Sequence, residues 1–221
     1  MTEVEGKVEI AVASTVLQGD LLVPAGANGV VVFAHGSGSS RLSPRNRSVA
    51  SYFRSRSLGT LLFDLLTAEE ERIDVYSRQY RFDIPFLAGR LVAVTDWLAD
   101  SHGTPAGIGY FGASTGAAAA LAAAAETPQR IQAIVSRGGR PDLAAAALER
   151  VRAPTLLIVG GNDPEVLLLN ESALAQLRCE KELVVVPGAT HLFAETGTLE
   201  AVAAHAAAWF NQHFARTDRT Q

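Results

Sequence analysis

Four short stretches of this chain carry residue types at spacings suited to nucleophilic acyl transfer. Gly112-Ala-Ser114-Thr-Gly116 matches G-x-S-x-G, a sharp strand-to-helix turn that lifts a serine above a sheet. The demand is steric: the serine backbone is strained, so the positions two before and two after it must lack side chains. A serine hydroxyl is a weak nucleophile until a base takes its proton. His191, in Gly188-Ala-Thr-His191, is the candidate base and later proton donor. Asp163, in Gly160-Gly-Asn-Asp163-Pro164, is the candidate carboxylate that would fix the imidazole tautomer and stabilise the imidazolium. An oxyanion hole needs backbone N–H groups, and Thr115, directly after the serine, supplies a natural first donor.

Each of these residues also has a plainer reading. Ser114 could be a helix N-cap, and His191 an exposed loop histidine. Asp163-Pro164 is a good cap and first-turn pair, although Asn162 could cap instead; Asp142 is the alternative acid. His102, in a loop after a helix, and His205 and His213, on the terminal helix, are worse placed than His191. Cys179 is the one cysteine, on an expected helix and away from any glycine turn, so it reads as structural. Gly107-Ile-Gly109-Tyr-Phe-Gly112 matches the dinucleotide G-x-G-x-x-G, but its first glycines lie within or before a strand and no acidic residue follows at about 20 positions. No histidine pair has metal-ligand spacing, so neither a cofactor nor a metal is expected.

The elements that must position these groups follow from hydrophobic pattern. Residues 7–12 and 16–23 read as an antiparallel pair closed by the glycine-rich turn 24–29. Continuous apolar runs at 29–34, 58–63, 106–111, 131–136, 154–159 and 182–186 read as buried strands. Helices are expected at about 44–56, 82–98, 114–126, 141–149, 164–178 and 199–210. Residues 65–80 show no periodicity and read as a charged surface loop, and 215–221 as a frayed polar tail. Strand and helix alternate from residue 30 onward, which implies a mostly parallel twisted sheet of about eight strands with helices on both faces. No repeat or linker interrupts the chain, so a single domain over 1–221 is expected.

In such a sheet, ligands collect at the carboxyl ends of the strands. Those ends deliver His35-Gly-Ser37-Gly38, Ser114, Asp163 and His191, in the chain order serine, acid, histidine. On these residues the sequence resembles the α/β-hydrolase family, and within it the small dienelactone-hydrolase-like esterases that have no lid. The resemblance covers roughly 10–213 and rests on His35-Gly-Ser-Gly, Gly112-Ala-Ser-Thr-Gly116, Gly160-Gly-Asn-Asp163-Pro-Glu-Val166 and Gly188-Ala-Thr-His191. It implies a Ser114-His191-Asp163 triad and places the second oxyanion donor after His35-Gly36, at Ser37. Dienelactone hydrolases proper carry cysteine at the nucleophile, where this chain has Ser114; general carboxylic ester hydrolysis is therefore the expected activity. The same acyl-enzyme passing to an alcohol, amine or peroxide would make an acyltransferase or perhydrolase, and a non-catalytic binding protein could share the fold.

Composition narrows the partners. Nearly half of the 221 residues are apolar and the net charge is -4, which offers no basic footprint for nucleic acid or anionic membrane. The acidic start lacks the apolar core of a signal peptide and no apolar run reaches membrane-spanning length, so a cytoplasmic protein with a small-molecule ester substrate is expected. Only 17 residues separate the strands ending at 136 and beginning at 154, too few for a helical lid, which favours small or soluble esters. Arg137, after a strand, and Arg41 and Arg45, after the Ser37 loop, are candidates to pair with a substrate carboxylate. The sequence carries no signal of oligomeric state.

Overall fold

Short apolar runs form the centre of the structure. Val30–Ala34 (β3), Gly59–Phe63 (β4), Ile108–Ala113 (β5), Ala133–Arg137 (β6) and Thr155–Gly160 (β7) are buried at every position, as strands covered on both faces must be. In this computed structural model, which describes residues 4–101 and 107–214, they join Val4–Val12 (β1), Thr15–Val23 (β2) and Lys181–Val186 (β8) in one eight-stranded sheet. The order is β1-β2-β4-β3-β5-β6-β7-β8. Strands β3 to β8 run parallel, and β1 and β2 extend the sheet antiparallel beyond β4. The chain leaves β3 toward β4 on one side and returns to β5 on the other, so a crevice opens above β3 and β5. The loops carrying Ser37 and Ser114 emerge there.

Helices cover both faces. Pro44–Arg54 (α1) and Thr198–Phe214 (α6) pack over a core that includes Phe33, Phe53, Phe111 and Phe210. Their rings meet at centroid distances of 5.0 to 5.7 Å, contacts worth about 0.5–1.5 kcal/mol each beyond burial. Ile84–Ser101 (α3) and Thr115–Glu126 (α4) cover the other face, with Pro164–Gln176 (α5) beside them. The alanine run of α4 is almost wholly buried because small side chains let its backbone lie close against the strands.

Three segments differ from the sequence reading. The β1–β2 hairpin turns at Ala13-Ser14, with Val12 paired to Thr15, so the glycine-rich segment 24–29 instead leads from β2 into β3. Residues 141–149 are not one α-helix: Pro141–Arg150 is 3-10 in character and broken at Ala145, where φ is 41°. The charged segment 65–80 contains a helix, Ala68–Ser77 (α2). His102, residue 106 of an expected strand and the tail 215–221 lie outside the described residues. Among those described, no helix is long and apolar enough to cross a membrane.

Helix α2 escapes a periodicity test because charge, not an apolar stripe, holds it. Thr67 and Glu70 form a capping box, and the Glu70 carboxylate accepts two hydrogen bonds from the buried Arg90, at 2.6 and 2.7 Å. Arg90 also donates to the Leu65 carbonyl at 2.8 Å, tying the end of β4 to α3. At the far end of α2, buried Asp74 accepts from the Tyr80 and Arg81 N–H groups and pairs with the Arg81 side chain. Burial alone would raise the Glu70 carboxyl pKa, but the hydrogen bonds and charge of Arg90, with the Thr67 bonds, outweigh it and hold the carboxyl below its ordinary range. Glu70→Ala leaves Arg90 buried and unpaired and is expected to cost about 3 kcal/mol in urea denaturation at pH 7. Because the folded pKa is lowered, that stabilisation is complete at neutral pH. The difference between variant and parent shrinks as pH falls through the ordinary glutamate range and below.

Candidate active site

Ser114 stands at the tip of β5 with φ 51° and ψ -123°, a backbone conformation that side-chain-bearing residues seldom adopt. Close packing imposes it. A Cβ at Gly116 would sit 2.2 Å from the Ala34 carbonyl oxygen, and one at Gly112 would sit 2.4 Å from Ala117 Cα. The two glycines therefore let the β5–α4 turn nest against β3 and against its own helix. Ser114 lies at the start of α4, yet its side chain makes no capping hydrogen bond, so the helix-cap reading fails. The other glycines of this stretch serve packing: a Cβ at Gly107 or Gly109 would strike the ring of Phe214 or Phe210, both on α6. That accounts for the dinucleotide-like pattern without a cofactor.

Asp163 precedes α5 and likewise makes no capping hydrogen bond. Its carboxylate turns instead to His191, whose Nδ1 lies 2.7 Å from Asp163 Oδ2. This bond assigns the proton to Nδ1 and leaves Nε2 available as a base. The β7 and β8 loops are pressed together to make the pair: a Cβ at Gly160 would lie 2.3 Å from the Ala189 carbonyl oxygen. The Asn162 backbone N–H donates to Ala189 O at 2.9 Å, and its side-chain amide donates to Gly188 O at 3.0 Å. Asp142, the alternative acid, is occupied by Arg140 in a two-pronged ion pair.

Residues at the end of β6 neighbour both Ser114 and His191. The Ser114 N–H points to the Arg137 carbonyl at 3.4 Å, and a Cβ on the next residue, Gly138, would lie 3.7 Å from His191 Cε1. No hydrogen bond joins Ser114 Oγ to His191 among the described residues; such bonds often tighten only when substrate binds.

His35 has a structural part. It is buried, its Nδ1–H donates to the Gly36 carbonyl, and its Nε2 accepts the Leu65 N–H at 3.0 Å. Burial, partly opposed by the Gly36 bond and nearby carboxylates, pushes its pKa below the usual histidine value. It remains a neutral link between the β3 and β4 loops. Next to it, the Ser37 N–H donates to Thr115 Oγ1 at 3.0 Å, and the two hydroxyls are also 3.0 Å apart. The Ser37 donor expected for an oxyanion is thus satisfied by a hydroxyl in this resting state. A cleft of about 710 Å³ adjoins this loop, lined by Ser37, Gly38, Arg41, Arg45, Asp64 and Glu71 among others.

The candidate substrate arginines divide. Arg41 pairs with the Asp64 carboxylate through its side chain and its backbone N–H, and lies 3.8 Å from Asp20. Its charge is spent within the protein. Arg137 is 9% exposed, and its Nη1 is buried without a hydrogen-bond partner.

The sequence reading did not single out the brace on the His191 loop. Glu195 accepts from Thr190 N–H at 3.1 Å and from Thr190 Oγ1 at 2.6 Å, and these bonds lower its carboxyl pKa. The spacing of a threonine and a glutamate around His191 is too common a pattern to signal this. Among the described residues, no group of three or more His, Cys, Asp or Glu side chains is arranged to hold a metal ion.

Comparison with known proteins decides the family. The dienelactone hydrolase family model matches residues 66–216. The chain belongs to that family. A dienelactone hydrolase of Anabaena variabilis superposes with a TM-score of 0.92 at 56% identity, over 96% of this chain and 98% of that one. Est1E of Butyrivibrio proteoclasticus superposes at 0.79 over 95% and 99% of the two chains, at 16% identity, which speaks for the shared α/β-hydrolase fold alone. A Mycobacterium tuberculosis protein provisionally named a phosphoribosyl transferase is 55% identical over 208 residues, 94% of this chain but 46% of its own length. The chain therefore spans about half the length of the curated relatives it matches.

The tight nesting at the β5–α4 turn gives a direct prediction. Gly116→Ala forces a Cβ onto the Ala34 carbonyl and is expected to lower stability by about 3 kcal/mol, the upper end for overpacking. A thermal melt beside the parent protein measures it, and an unchanged midpoint would mean the turn is looser than described.

Proposed function

We propose that the protein is a serine hydrolase of carboxylic esters, with Ser114 as nucleophile, His191 as base and acid, and Asp163 as the orienting carboxylate. The observation that carries this is the Asp163–His191 bond beside a serine in a strained turn. Asp163 and Ser114 both stand at helix starts and neither caps its helix.

In this reading Ser114 Oγ attacks the acyl carbon while His191 Nε2 takes the hydroxyl proton. The carbonyl oxygen becomes an oxyanion, received by the Thr115 and Ser37 N–H groups. For the oxyanion to take the Ser37 N–H, the hydrogen bond from that group to Thr115 Oγ1 has to open. The intermediate collapses, the alcohol leaves with the proton held by His191, and Ser114 keeps the acyl group. Water, deprotonated by His191, then attacks the acyl-enzyme; the acid departs and Ser114 regains its proton. No step calls for a cofactor.

Dienelactone opening by the same chemistry is not the preferred substrate reading, since the nucleophile here is serine. The open cleft favours small or soluble esters. We assign the phosphoribosyl transfer in the name of the M. tuberculosis relatives to the part of their length that this chain does not match. A cytoplasmic location is our reading too, supported by the chain's lone cysteine, Cys179.

A fluorophosphonate probe is expected to label the wild-type protein and not Ser114→Ala, with p-nitrophenyl ester hydrolysis lost in parallel. Well-folded wild-type protein that stays unlabelled would defeat the proposal in favour of a non-catalytic binding protein. Asp163→Asn should fold normally and lose about 10⁴-fold in kcat with KM little changed, because the imidazole is left in the wrong tautomer. Steady-state kinetics reads both constants.

A further inference from the structure

Helix α2 carries four acids, and three of them are paired: Glu69 with Arg72, Glu70 with Arg90 and Asp74 with Arg81. The fourth is Glu71. Among the described residues its carboxylate joins no ion pair and accepts no hydrogen bond, although the residue is half-buried. A carboxylate drawn partly out of water ordinarily has a donor beside it.

Glu71 lines two adjoining spaces. One is the cleft of about 710 Å³ that also contains Ser37 and Arg45. The other is a narrow cavity bounded by Gly36, Ser37 and Thr115. That cavity lies against the nucleophile, because a Cβ at Gly36 would stand 3.1 Å from Ser114 Cβ. An ester held at Ser114 that fills this side of the site therefore meets Glu71.

The arginines of the cleft repeat the pattern. Arg41 pairs with Asp64, whereas Arg45, exposed at the start of α1, joins no ion pair among the described residues. One acceptor and one donor, not bonded to each other, thus remain in one cleft with the hydroxyls of Ser37, Ser39 and Ser40.

We propose that this cleft is a subsite for the hydroxyl groups of a polyol or sugar ester, with Glu71 as the residue that selects them. The proposal rests on the hydrolase reading above. A hydroxyl can donate to Glu71 and accept from Arg45, which an alkyl chain cannot do. An ammonium group would also satisfy Glu71, but it accepts nothing. It would leave unmatched both Arg45 and Arg81 Nη1, which stands 3.9 Å from the position of a Cβ at Gly38 while Nε and Nη2 bond Asp74.

Three esters decide it. Glucose 6-butyrate has hydroxyls on the alcohol side and methyl glycerate on the acyl side. Methyl butyrate has none and shares one half with each. The wild-type protein should favour a hydroxylated ester over methyl butyrate by about tenfold in kcat/KM, as a hydrogen bond to a charged group allows. Glu71→Ala should remove most of that preference, and Glu71→Gln, which keeps an acceptor, part of it. Glu69→Ala, on the same helix but not lining the cleft, should retain it. A loss of structure would lower all three rates together and leave the ratios alone. If Glu71→Ala does not fold, Glu71→Gln carries the test. No preference, or one equal in parent and Glu71 variants, overturns the proposal. Butyrylcholine preferred to all three in a Glu71-dependent way overturns the choice of hydroxyl. Fluorophosphonate labelling of the same samples separates the two readings. Labelled protein without a Glu71-dependent preference loses only the subsite, and unlabelled protein that turns over no ester loses both.

Discussion

A serine at φ 51° and ψ -123° is strained by about 1–3 kcal/mol, and it persists only where its surroundings leave no alternative. Here those surroundings are three backbones in close contact. The start of α4 lies against the end of β3 through Gly116, and β5 lies against α4 through Gly112. The same contacts fix where the α4 helix runs, and hence why its inner residues must be alanines. They also set the sheet edge on which the other groups stand. The Asp163–His191 pair is delivered to that edge by a second tight contact, between Gly160 and the Ala189 carbonyl. Both halves of the candidate site thus depend on glycine giving backbone access to backbone.

Much of this was legible in the sequence because it is steric and local. Buried strands announce themselves as continuous apolar runs, and the glycines that permit close approach are visible as letters. The order of strand ends then placed Ser114, Asp163 and His191 on one edge. What stayed hidden was held by long-range charge. Helix α2 has no apolar stripe and exists through Glu70–Arg90 and Asp74–Arg81, pairs whose partners lie 20 and 7 residues apart. The break at Ala145 was hidden for another reason: an alanine-rich segment reads as helix whatever its backbone does. The Thr115 hydroxyl on the Ser37 N–H could not be foreseen either, since it joins residues 78 apart.

The arginines show how far composition underdetermines electrostatics. Arg41 and Arg137 look alike in the sequence, each an arginine following an expected strand. In the fold one is neutralised by Asp64 and the other is buried with its Nη1 lacking a hydrogen-bond partner. A net charge of -4 for the whole chain says nothing of either environment. The family likeness does not supply that difference either.

The central claim is that Ser114 becomes covalently acylated during turnover. The most direct measurement is acid-quench mass spectrometry during hydrolysis of a p-nitrophenyl ester, followed by peptide mapping. The account predicts a mass increase equal to the acyl group on the peptide containing Ser114, appearing during turnover and decaying as ester is exhausted. An acyl group mapped to another residue would contradict it.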